Sequence, residues 1–88
     1  PYDCYGGTHR LLSAWRRTGR IEADFVDFTD FTAVARALEP GPRLVWIETP
    51  SNPLLRITDV AAVSELARRA GALVAVGHTF LSPAWQQP

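Results

Sequence analysis

Three short stretches of this sequence carry residue types suited to chemistry: Tyr5-Gly6-Gly7, Thr49-Pro50-Ser51-Asn52-Pro53, and Gly77-His78-Thr79. A tyrosine can cover a flat heteroaromatic ring with its face and carry a proton through its hydroxyl. An asparagine held between Pro50 and Pro53 offers an amide on a stiff loop, and a glycine pair lets the backbone approach a ligand closely. Each also has a plainer counterpart: a packing tyrosine, an asparagine that caps its own turn, a Gly-Gly turn. Cys4, His9 and His78 are the residue types of a nucleophile pair or a metal site, but nothing in their spacing supports either. Glu48 ends an apolar run, where a carboxylate should not be left as an unpaired buried charge.

The elements that must position these residues alternate along the chain. Apolar runs predict strands over Asp24 to Phe28, Leu44 to Glu48 and Leu73 to Val76, and the last two are valine-rich and continuous, as in strands covered on both faces. A helix over Thr8 to Arg17 puts Leu11, Leu12 and Trp15 on one side, with Gly19 as its stop signal. A shorter helix over Phe31 to Leu38 has Asp30 or Thr29 as its N-cap, and Pro40-Gly41-Pro42 ends it. The clearest helix covers Asp59 to Ala70. Thr58 caps it, Asp59 suits its positive end, Arg68 and Arg69 suit its negative end, and Gly71 closes it in a left-handed conformation. Alternating strands and helices predict βαβ units in a parallel sheet with right-handed crossovers. Ligands in such sheets bind beyond the carboxyl ends of the strands, where Glu48 to Pro53 and Gly77 to Thr79 lie. Arg16, Arg17 and Arg20 read as a solvated face.

Composition narrows the possibilities. A chain of 88 residues holds one domain at most, and an apolar fraction of 47% is that of a globular protein. Nine acidic side chains balance nine basic ones, so no net field favours nucleic acid or an anionic membrane. No apolar run has the length of a spanning helix, and no signal-peptide pattern opens the sequence. The single cysteine excludes an internal disulfide framework and suits a reducing compartment, so a cytoplasmic location is expected. There is no methionine, and the chain opens in mid-sequence at Pro1. There is no lysine either: all nine basic residues are arginine, so no side-chain amine can form a Schiff base.

Taken together, "DCYGGTHRL" (Asp3 to Leu11), "WIETPSNPLLRITD" (Trp46 to Asp59) and "TFLSPAWQQP" (Thr79 to Pro88) resemble the Cys/Met-metabolism family of pyridoxal-phosphate (PLP) enzymes in order and spacing. This family includes the cystathionine γ-synthases and γ-lyases, the cystathionine β-lyases and the homoserine-ester sulfhydrylases, and the γ-synthase branch is the most similar. The resemblance implies an α/β fold: part of the three-layer αβα, fold type I large domain, with a mainly parallel sheet. Residues 1–88 would then be an incomplete single domain. It further implies pyridoxal 5′-phosphate as cofactor in the intact enzyme, a sulfur amino acid or homoserine ester as substrate, elimination or replacement at the γ- or β-carbon, and a homo-oligomer with no nucleic-acid or membrane partner.

The same resemblance assigns roles to single residues. Tyr5 matches the tyrosine that stacks on the cofactor ring and assists proton transfer. Asn52 matches the asparagine that hydrogen-bonds the cofactor's phenolic oxygen, and Thr79 the threonine that follows a cofactor-contacting aspartate. Arg10 matches an arginine near the substrate's distal group in γ-synthase-like members. Gly77-His78 stands where the family has Asp-Asn, so the carboxylate that pairs with the pyridine nitrogen is replaced by glycine. Successive strand residues point to opposite faces, so Gly77 and Thr79 should face the cofactor and His78 should not. The family's lysine lies downstream of the segment matched by this chain. The expectation is a piece of a transsulfuration-type enzyme, inactive alone. The alternative is a degenerate, non-catalytic family member that acts as an interaction module with an intact subunit.

Overall fold

The hydrophobic periodicities resolve into three helices and two strands in the computed structural model, which describes residues 1–88. In chain order these are α1 (Gly6–Arg17), α2 (Phe31–Leu38), β1 (Leu44–Glu48), α3 (Val60–Arg69) and β2 (Leu73–Gly77). The two strands pair in parallel, with Val45 opposite Val74, Ile47 opposite Val76 and Glu48 opposite Gly77. α3 makes the crossover between them and packs on β2. The α/β class with a parallel sheet is therefore as the sequence predicts.

Period-two alternation divides the sheet into two faces. Val45 and Ile47 point to one face, where they meet Val34 of α2, Val63 and Ala67 of α3, and Ala72 in the buried core. Val74 and Val76 pack against the same cluster from β2. Leu44, Trp46 and Glu48 point to the other face, where Leu44 stays 52% exposed and Trp46 42% exposed. α1 begins over this second face, because the side chain of Glu48 bonds to its first turn. Apart from this contact, Leu44, Trp46 and Leu73 leave the second face largely exposed within residues 1–88, where the sequence predicts strands covered on both faces.

Several local expectations need correction. α1 begins at Gly6 rather than Thr8: the Tyr5 carbonyl already accepts the His9 N–H at 3.0 Å, which brings the glycine pair into the first turn. Thr58 does not cap α3. That role belongs to Asp59, whose carboxylate accepts the Ala62 N–H at 2.9 Å, while buried Thr58 donates its N–H to the Thr49 hydroxyl at 3.1 Å. Asp24 to Phe28 is not a strand. The segment stands across an apolar groove of about 710 Å³ from β1, and its backbone tie to a neighbouring segment is the Tyr2 N–H donating to the Val26 carbonyl at 2.9 Å. An apolar sequence forms a ladder only when another strand lies within hydrogen-bond reach, and here none does. β2 runs one residue beyond its expected end, to Gly77.

Other signals hold as read. Asp30 caps α2, accepting the N–H groups of Thr32 and Ala33 at 2.9 and 3.1 Å. Gly71 follows α3 at φ 77°, a conformation that costs other residues backbone strain. No helix is long and apolar enough to cross a membrane.

The burial pattern predicts a sharp contrast between two aliphatic side chains on paired strands. Ile47 is completely buried, so Ile47→Ala should cost about 2–5 kcal/mol. Leu73 is 75% exposed, and Leu73→Ala should stay within about 0.5 kcal/mol of the parent. Urea unfolding of both variants measures the two values, and equal losses would contradict the assignment of faces.

Candidate functional site

Parallel pairing brings the loops that follow β1 and β2 to one edge of the sheet, and the register sets Glu48 directly beside Gly77. Glu48 is nearly buried, and its carboxylate is fully engaged. Its Oε2 accepts the Tyr5 backbone N–H at 2.7 Å. Its Oε1 accepts the Thr8 hydroxyl at 2.7 Å and the Trp46 indole N–H at 3.0 Å. Burial, the largest single influence, pushes this carboxyl up, but the Tyr5 amide, the Trp46 indole and the Thr8 hydroxyl together hold it below the usual glutamate value. Glu48 is therefore an anionic acceptor with both oxygens hydrogen-bonded, to three donors in all.

Tyr5 occupies the N-cap position of α1, and its ring is 56% exposed. The ring folds back over Gly7. A Cβ on Gly7 would lie 2.6 Å from Tyr5 Cε1, so glycine is what allows the ring to sit there. One turn further on, Arg10 turns its guanidinium back toward the helix start, its NH1 lying 3.2 Å from where a Cβ on Gly6 would be. An exposed aromatic face, a phenol and a guanidinium thus share the first turn of α1.

The Asn52 loop is stitched by its neighbours. The Ser51 N–H donates to the Arg56 carbonyl, the Leu55 N–H to the Ser51 carbonyl, and the Arg56 N–H to the Ser51 hydroxyl, all at 3.0 Å. The Ser51 hydroxyl itself donates to the Asp3 carboxylate in a short buried bond. Arg56 also pairs with Asp27 at 3.0 Å and lies 5.4 Å from the centre of the Tyr2 ring. Asn52 is half-buried, and its side chain makes no hydrogen bond within the chain. Thr79 is exposed in the turn after β2. Both lie in the loops at the carboxyl edge of the sheet, but no hydrogen bond ties either to the Tyr5–Glu48 cluster.

Gly77 shares its sheet face with Glu48. A Cβ added at Gly77 would meet Glu48 Cγ at 3.7 Å and the Ile47 carbonyl at 3.8 Å, both ordinary contacts, and its φ is not left-handed. The backbone does not require glycine there, and a side chain would fit. His78, next in the chain, is half-buried, with its Nδ1 sealed off and unpartnered. Cys4 is buried, and that burial chiefly pushes its thiol up, toward the unreactive neutral form.

Sequence reasoning identified Tyr5, Arg10, Asn52, Gly77 and Thr79 as candidates. It anticipated a partner for Glu48 without naming one, and it did not find Thr8, Trp46 or the Ser51–Asp3 bond. The available signal was Glu48 itself, since an acid at the end of an apolar strand obliges donors to converge on it.

The family model for Cys/Met metabolism PLP-dependent enzymes matches residues 1–88. The cystathionine γ-synthase of Escherichia coli strain K12 is 49% identical over 88 residues, which is all of this chain and 23% of that protein. A cystathionine β-lyase of Bacillus subtilis strain 168 is 45% identical over 86 residues, 98% of this chain and 22% of that protein. Among solved structures, cystathionine γ-synthase from Xanthomonas oryzae pv. oryzae in complex with cystathionine superposes with a TM-score of 0.92 at 52% identity, covering 96% of this chain and 22% of that one. The chain therefore spans less than a quarter of the length of these relatives.

The state of Glu48 predicts a pH dependence. Its folded carboxyl titrates below the ordinary value of 4.5, so its stabilisation is present above that value and is lost as the pH falls through the lower folded value. On acidification below about pH 4.5, the parent chain should therefore lose unfolding free energy more steeply than Glu48→Gln. Urea unfolding across that range checks the sign, and parallel curves would show that Glu48 gains nothing from its donors.

Proposed function

Because the chain belongs to the Cys/Met-metabolism PLP-dependent enzymes, we propose that it builds one side of the cofactor site in a cystathionine γ-synthase- or γ-lyase-like enzyme. The substrates of such an enzyme are sulfur amino acids or homoserine esters, and the reaction is elimination or replacement at the γ- or β-carbon. The observation that carries this reading is an exposed tyrosine ring and a guanidinium at the start of α1, tied by Glu48 to the carboxyl edge of a parallel sheet where the Asn52 and Thr79 loops also lie.

The residues fit a planar, anionic-oxygen-bearing ring on most sides. When bound, pyridoxal phosphate supplies an electron sink beside the α-carbon of an amino acid. Tyr5 offers a face for the ring and a phenol that can move a proton. Asn52 can donate from its amide to a phenolic oxygen, Thr79 can contribute its hydroxyl, and Arg10 can hold the substrate's distal carboxylate. The fit fails at Gly77, which supplies neither charge nor hydrogen bond to the ring nitrogen, and Glu48 beside it is already committed to three donors. With no lysine among its 88 residues, the chain by itself forms no lysine linkage to the cofactor and is inactive alone. The working enzyme is a homo-oligomer in this reading.

Gly77-His78 also favours a second reading, a non-catalytic member that pairs with an intact subunit. A chimera separates the two. This chain replaces the matching segment of the Escherichia coli cystathionine γ-synthase, and pyridoxal phosphate is titrated spectroscopically. Gly77→Asp should raise cofactor affinity about ten- to a hundredfold over the chimera as found, through one charge-assisted hydrogen bond. Turnover should rise further, and His78→Asn should matter much less. If neither substitution yields turnover although the chimera folds and assembles, the interaction reading stands; rescue by His78→Asn alone would reverse the assignment of strand faces.

A further inference from the structure

We propose that Glu48 is the positioning residue for Tyr5 and Arg10: its carboxylate clamps the first turn of α1 to the ligand-binding edge of the sheet. The proposal rests on the reading above that this edge faces the cofactor.

The geometry leaves few other means of fixing that helix. α1 buries none of its residues. No acidic side chain lies in its first turn, and its N-cap residue provides no side-chain acceptor. The usual means of holding a helix start, a cap and an apolar stripe, are thus lacking at this end. Glu48 takes over from outside the helix. It accepts from the Tyr5 backbone and from the Thr8 side chain, three residues apart, at 2.7 Å each. Two acceptor oxygens on two points of one turn fix both the position and the rotation of that turn. A negative charge at the amino end of a helix is also favoured by the helix dipole. The Trp46 indole bonds the same carboxylate at 3.0 Å, which holds the acceptor itself in one orientation.

From that clamp the two site groups follow. Tyr5 has its backbone on Glu48 and its ring over Gly7, so both ends of the residue are located. Arg10 lies back along the same turn with its guanidinium over Gly6. The other ties near this end precede the helix or, at His9, lie within its first turn. The Tyr2–Val26 and Asp3–Ser51 bonds hold the residues before Tyr5, and the His9 ring lies 4.6 Å from the Phe25 ring.

Nuclear magnetic resonance on the 88-residue chain tests the proposal without any cofactor. The Tyr5 ring over Gly7 should shift the Gly7 Hα resonances by ring current, and the Tyr5 amide and those of α1 from His9 onward should show exchange protection. In Glu48→Gln, which keeps the size of the side chain but not three-acceptor capacity, the Gly7 shift should collapse and α1 protection should fall about tenfold or more. Amides of Ile47, Val63 and Ala67 should stay within about twofold of the parent. Thr8→Val, which removes one donor, should change the same signals less. An unchanged Gly7 shift and α1 protection in Glu48→Gln would overturn the proposal. So would an equal loss at the core amides in both variants, which would make Glu48 a general stabilising residue. Neither result touches the cofactor reading, which the chimera tests separately.

Discussion

A carboxylate set at the end of an apolar strand must either find donors or become neutral, and at Glu48 two of the three donors come from a segment some forty residues earlier in the chain. That requirement joins the two halves of the molecule. The core beneath it is held by aliphatic packing of α2 and α3 on one sheet face. The opposite face has no such packing, and what comes to lie on it is decided by which groups can satisfy Glu48. The Tyr5 amide, the Thr8 hydroxyl and the Trp46 indole do so, which fixes where the exposed tyrosine ring stands relative to Gly77.

Much of this was legible in the sequence, for reasons that differ between elements. β1 and β2 could be read because Leu44–Glu48 and Leu73–Gly77 are apolar on both faces, a pattern that depends only on local composition. α3 could be read from its apolar stripe and its charged ends, although the capping role went to Asp59 instead of Thr58, because the helix starts at Val60 and the residue before it carries the cap. Residues 24–28 show where such reading stops. Their composition is that of a strand, yet strand formation belongs to a pair of segments, and β1 lies across a groove from them. The start of α1 was misplaced for a related reason. A glycine pair discourages helix on propensity, and the force that overrides it is a distant carboxylate which no local window contains.

The candidate site divides in the same way. The carboxyl edge was predictable from topology, so Asn52 and Thr79 fall in loops where they were expected. The contents of that edge were not. Gly77 adopts an ordinary strand conformation with space beside it, so the absence of a side chain there answers to no demand of the backbone. Space and charge part company at this position: a side chain would fit beside Gly77, while the one acid nearby, Glu48, is held by other bonds.

The placement of the clamp at the beginning of α1, and not at its middle or end, has a mechanical consequence. A helix of 12 residues is about 18 Å long. Fixed at one end, it behaves as a lever with Tyr5 at the fulcrum. A swing of about 10° carries the far end by about 3 Å over that length, while a side chain at the pivot barely moves. Contacts made or lost near Arg17 can therefore change the tilt of α1 without disturbing the residue bonded to the strand end. The geometry isolates the tyrosine from the motions of the helix that carries it.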